Sequence, residues 1–154
     1  MEQKTKIEAE AGKQELTITR EFNLPVELLF KAYSETELVE QWMGTKVIKL
    51  ESKNHGSYQF ETSYNGNVVF KANGTIHKVV PNQTIIRTFE MENAPIGVQL
   101  EFIEFEKLTD DASKLTIKII YKTEKHRAEQ LKLPFANGLN SAHDRLQEIL
   151  ANLK

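Results

Sequence analysis

The sequence predicts an α+β fold: a curved antiparallel sheet of about seven strands wrapped around a long C-terminal helix, with two short helices after the first strand. Three observations carry this expectation. Apolar residues alternate with a period of two for most of the stretch from Val47 to Thr123, as half-buried strands require. Turn signals there are frequent and close together, and short turns join antiparallel neighbours. Finally, Phe135, Leu139, Ala142, Leu146, Ile149 and Leu153 recur at helical spacing to the end of the chain, which is one apolar stripe.

The elements follow in order. Residues 1–13 are highly charged and nearly free of apolar side chains, so a flexible N-terminal tail is expected, with a single domain over residues 14–154. Glu15–Phe22 alternates as a strand. Pro25 suits the first turn of a helix, and Val26, Leu29, Phe30 and Tyr33 give it one apolar face. Ser34 and Glu37 have capping-box spacing for a second short helix. Leu38, Val39 and Trp42 form the inner side of that helix, and Gly44 is placed to stop it. Strands are expected over Val47–Lys53, Ser57–Tyr64, Val68–Val80, Thr84–Met91, Val98–Leu108 and Lys114–Thr123. Asn65-Gly66 is a strong two-residue hairpin signal. Glu124–Leu131 reads as a helical lead-in interrupted before Pro134. An amphipathic helix held by a wrapped sheet touches it along one line, and that geometry favours a cavity between them.

Composition narrows the function. A charged fraction of 27% with a net charge of -2 gives no basic face for nucleic acid. The chain has no cysteine, which excludes disulfides and thiolate chemistry and suits a reducing compartment. The N-terminal residues show no signal-peptide pattern, and no apolar run approaches the ~18 residues a membrane span needs. A cytoplasmic protein, without stable membrane insertion and existing as monomer or homodimer, is expected. The spacings of His55, His77, His126 and His143 fit no metal motif, so no metal or cofactor is expected. Nucleophile elbows, phosphate loops and dinucleotide fingerprints are missing from the sequence, so no catalytic residue is assigned.

Leu16-Thr-Ile-Thr-Arg-Glu-Phe22, Leu24-Pro-Val-Glu-Leu-Leu-Phe-Lys-Ala-Tyr33 and Glu37-Leu-Val-Glu-Gln-Trp-Met-Gly44 resemble the opening of the activator of heat-shock-protein-90 ATPase homologue 1-like family. The helix Phe135–Leu150 resembles the family's closing helix. The resemblance covers roughly residues 14–153 and implies a START-like domain with a helix-grip fold. This chain departs from the family pattern at Asn54-His55-Gly56-Ser57 and at Phe135, Ala136 and Asn137. Both places lie near the expected pocket mouth, so a relative's ligand does not carry over. The superfamily also admits cyclase or dehydratase enzymes, which need an acid or base aimed into the cavity. The family name admits a co-chaperone. Only a short tail precedes the domain here, where co-chaperones carry a further domain, so ATPase activation is not expected.

The reading that best joins these observations is a binder of a small hydrophobic or amphipathic molecule between sheet and C-terminal helix. Its pocket candidates are Trp42, Phe60, Phe70, Arg87, Phe102, Tyr121, Phe135 and Leu139. Trp42, the one tryptophan, is a core plug, a pocket rim or both. Tyr58, Phe60 and Tyr64 share one strand parity, as do Val98, Leu100 and Phe102, and both sets are expected on the concave face. Arg87 shares its parity with Ile85 and Phe89. Pointing inward it would suit an acidic ligand group; at a strand edge it would reach for water. Tyr33, Tyr121 and Thr88 could offer hydroxyls. His143 flanks the helical stripe as a boundary residue. Glu101, Glu104 and Glu106 are expected to face Lys114, Lys118 and Lys122 across a wet sheet surface.

Overall fold

Hydrogen-bonded pairing of neighbouring strands sets the frame of the molecule. The computed structural model describes residues 4–132 and 135–154, with 135–137 as backbone alone. The chain runs β1 (Lys6–Glu8), β2 (Glu15–Phe22), α1 (Val26–Ser34), α2 (Thr36–Met43), β3 (Lys46–Leu50), β4 (Ser57–Tyr64) and β5 (Asn67–Val80). It continues through β6 (Thr84–Met91), β7 (Val98–Thr109), β8 (Ala112–Ile120), α3 (Glu124–Lys132) and α4 (Phe135–Ala151). Among the described residues the strands make one antiparallel sheet in the order β1-β2-β8-β7-β6-β5-β4-β3. The α+β arrangement expected from the sequence is therefore present, with one more strand. That strand corrects the expectation of a loose tail: Lys6–Glu8 pairs with Thr17–Thr19 of β2, and Thr5 bonds to α4.

Local chemistry explains most boundaries. Asn65 and Gly66 both take positive φ, 52° and 79°, so the β4–β5 hairpin turns in two residues with Tyr64 opposite Asn67. Gly44 adopts the left-handed conformation, φ 65°, and ends α2 as expected. The capping box does not form. Glu35 occupies the cap position of α2 without a side-chain bond, while the Ser34 hydroxyl donates back to the Phe30 carbonyl at 3.0 Å.

The core lies between the concave sheet face and the helices. Leu16, Ile18 and Phe22 of β2, Leu115 and Ile117 of β8, and Leu146 and Leu150 of α4 are all buried. Along α4 the buried line runs through His143, Leu146 and Leu150, whereas Leu153 is exposed. His143 is thus a core residue and not a boundary one. In β4, Tyr58 and Phe60 face the core but Tyr64 is exposed. A register shift between Thr62 and Ser63 breaks the alternation before the hairpin tip.

Gly74 shows how tightly the sheet closes on itself. Tyr58, cross-strand from Gly74, lays its ring over the glycine and donates its hydroxyl to the Thr88 carbonyl. A Cβ on Gly74 would lie 2.1 Å from that carbonyl oxygen and 2.5 Å from the Tyr58 ring. Gly74→Ala is expected to cost roughly 3 kcal/mol, the upper range of overpacking. Urea denaturation checks this, and a loss below about 1 kcal/mol would show that the β5–β6 backbone at Thr88 gives way together with the Tyr58 ring.

Candidate functional site

The end of α2 builds one wall of the site. Trp42 is buried, and its Nε1–H donates to the Ala32 carbonyl at 2.7 Å. Ala32 lies in the last turn of α1, where carbonyls lack a helical partner, so the indole joins α1 to α2. Arg145 of α4 donates from Nε to the Trp42 carbonyl at 3.1 Å, tying the same point to the long helix. The indole packs against Tyr33 at 5.1 Å between ring centroids. Its free surface faces a cavity.

That cavity has a volume of about 490 Å³, within the usual range for small-molecule sites. It opens between the α2 end, the first turns of α4 and the concave sheet face, from β2 and β8 across to β4. Most of the wall is apolar: Ile18, Val39, Phe60, Phe89, Met91 and Ile119 contribute, with Trp42, Phe70 and Leu139. Thr45 and Thr62, joined hydroxyl to hydroxyl at 2.8 Å, add a small polar edge.

The buried end is polar. Strand register sets Arg87 of β6 opposite Glu101 of β7. Both side chains reach the cavity and both are buried. The Arg87 Nε–H donates to Glu101 Oε1 at 2.9 Å, and the Gln99 amide donates to Glu101 Oε2 at 3.1 Å. The guanidinium lies over the Tyr58 ring, 4.8 Å from its centroid. Burial opposes the arginine's charge, but Tyr58 and Glu101 more than offset it and raise its pKa. Tyr33 also lines the cavity, and burial raises its phenol above the ordinary value.

Behind Tyr33 runs a polar chain. The Tyr33 hydroxyl meets His143 Nε2 at 3.3 Å, and His143 Nδ1 meets the Thr5 hydroxyl at 2.7 Å. Burial first, then Arg20, lowers the His143 pKa to about 3, with Asp144 opposing. The imidazole is therefore neutral at pH 7. Arg20 is itself buried, with one terminal nitrogen 2.8 Å from Asp144 and the other sharing Thr5 and Asn140.

The structure brings together much of the set read from the sequence. Trp42, Phe60, Phe70, Arg87 and Leu139 line the cavity. Phe102 does not: it lies on the opposite sheet face, beside Ile86 and Lys118, because Ile103 and Phe105 of the other parity turn inward. Tyr121 is buried one layer back and donates to Gln130, which reaches the wall. The Phe135 side chain lies outside the described residues. Glu101 is the main correction. Expected beside Glu104 and Glu106 on the wet face, it points inward to Arg87, and Lys118 pairs with Glu15 at 2.9 Å. The signal that finds Glu101 and Gln99 is the odd parity they share with Ile103 and Phe105.

A concave sheet, a long gripping helix and an apolar cavity with a buried polar end define a helix-grip domain of the α+β class. The chain belongs to the family described as Activator of Hsp90 ATPase homolog 1-like protein, whose model matches residues 23–151. Comparison with functionally curated proteins gives no match. Several solved structures share the fold. A protein from Rhodobacter sphaeroides superposes with a TM-score of 0.85 at 18% identity, covering 96% of this chain and 99% of its own. One from Mycobacterium smegmatis gives 0.84 at 19%, covering 96% of each chain. One from Nitrosomonas europaea gives 0.78 at 21%, covering 96% of this chain and all of its own, 100%. Among the described residues no helix is long and apolar enough to cross a membrane.

Proposed function

We propose that the protein is cytoplasmic and binds a small hydrophobic or amphipathic molecule in the cavity between sheet and C-terminal helix. The cavity itself carries this reading: about 490 Å³ of mainly apolar space, ending on buried polar groups. Apolar volume of this size that side chains do not fill forgoes packing that a close-packed core would gain. Among the described residues Glu101 is the carboxylate that reaches the cavity, and both of its oxygens are already engaged. That favours holding a ligand over acid–base turnover. The cysteine-free composition supports a reducing compartment.

Trp42 fluorescence tests the reading directly, because the single indole forms part of the cavity wall. Titration with fatty acids, polyphenols and polycyclic compounds is expected to give a saturable shift for a subset. Ala142→Phe fills the space beside Trp42 and is expected to remove the shift while the protein stays folded; Leu139→Glu is expected to do the same. Phe102→Ala, on the far face, is expected to leave the shift intact. A blue, unresponsive emission across the panel overturns the proposal and makes capture of a heat-shock-protein-90 homologue the next test.

A further inference from the structure

We propose that the bound molecule carries an uncharged acceptor oxygen, a ketone or similar carbonyl on an apolar body, and sets that oxygen on the terminal nitrogens of Arg87. This rests on the ligand-binding reading above and assigns the chemistry of its polar end.

A guanidinium has five N–H donors, and Glu101 takes the one on Nε. Among the described residues Nη1 and Nη2 of Arg87 have no hydrogen-bond partner, although the residue is only 8% exposed. They are not sealed in protein either. The buried nitrogens that are both sealed and unpartnered are Nε of Arg20 and Nε of Arg127, whereas Arg87 reaches the cavity. Tyr58 covers one face of the guanidinium, so a partner must approach in the plane of the donors, from the cavity side. Without a ligand, water can meet these N–H groups. A ligand that expels the water must replace those bonds or leave a buried cation with unmet donors.

Charge then chooses the acceptor. Arg87 and Glu101 already form a neutral pair at 2.9 Å. A ligand carboxylate would place a second negative charge beside that pair, in a cavity with little screening. A carbonyl accepts the same hydrogen bonds and leaves the charge balance unchanged. An inward arginine with no acidic partner would have selected the opposite ligand, and the Glu101 carboxylate reverses that preference.

Three probes with the same two phenyl rings separate these cases: benzophenone, diphenylmethane and diphenylacetate. Binding is read by NMR titration of backbone amides around Trp42 and of the Arg87 side-chain N–H signals. Benzophenone is expected to bind about tenfold or more tightly than either of the others, as one charge-assisted hydrogen bond implies. The Arg87 side-chain signals should shift with benzophenone alone. In Arg87→Met/Glu101→Gln, which removes the pair together, benzophenone should fall to the affinity of diphenylmethane. Equal binding of ketone and hydrocarbon to the unaltered protein, or tightest binding of diphenylacetate, overturns this assignment and leaves the ligand-binding reading standing. Failure of all three to perturb the Trp42 region overturns both.

Discussion

Glu101→Ala is expected to lower stability by about 3 kcal/mol, the lower end of the loss when one partner of a buried ion pair is removed. The mechanism is the Arg87 charge left behind. Both side chains are buried and 2.9 Å apart, so deleting the carboxylate strands a cation that cannot deprotonate. The lower end applies because the terminal nitrogens of Arg87 face a cavity that water can enter. For a domain of this size the melting temperature should fall by roughly 10 °C. Arg87→Met/Glu101→Leu, which removes both charges and refills the space, is expected to recover most of that loss. Thermal denaturation of the single and double variants checks this. A single variant within about 1 kcal/mol of the parent would mean that cavity water solvates Arg87 fully.

His143→Gln is expected to flatten the acid side of the stability profile. His143 has a folded pKa of about 3, below its ordinary 6.5. Between those values the unfolded chain takes up a proton that the folded protein refuses, so stability falls as pH drops through this window. Above pH 6.5 the imidazole is neutral in both states and the effect vanishes. Burial disfavours its protonation most, Arg20 adds to that, and Asp144 opposes them without cancelling them. The parent should lose about 2 kcal/mol to this group between pH 7.5 and pH 5. The variant should lack that component, while starting less stable because the bonds to Thr5 and Tyr33 are weakened. Urea denaturation at several pH values measures the difference. Parallel profiles would show that folded His143 accepts a proton near its ordinary pKa.

Both predictions concern residues whose roles the sequence pattern misassigned, and the cause is the same. In β7, Val98, Leu100 and Phe102 present an apolar alternation on one parity, while Ile103 and Phe105 continue it on the other. A period of two identifies the strand but not which face is buried when both parities carry apolar groups. The register with β6 and β8 settles it. Ile103 lies between Ile85 and Ile117, all buried, and the same face then holds Glu101 and Gln99. On α4, His143 sits one position from Ala142, so the apolar pattern alone places it beside the stripe. Packing against Phe22 and Trp42 brings it to the centre.

The sequence by itself determined the α+β class, the two tandem helices, the left-handed stop at Gly44 and the Asn65-Gly66 hairpin. Each of these depends on local periodicity or on the conformational limits of one or two residues. Tertiary structure alone decided that Thr5 and β1 dock on the domain, that Phe102 leaves the cavity, and that Arg87 meets Glu101 inside it. Those outcomes depend on which strands become neighbours and on how their faces align. Such pairings bring together residues far apart along the chain, and no single segment encodes them.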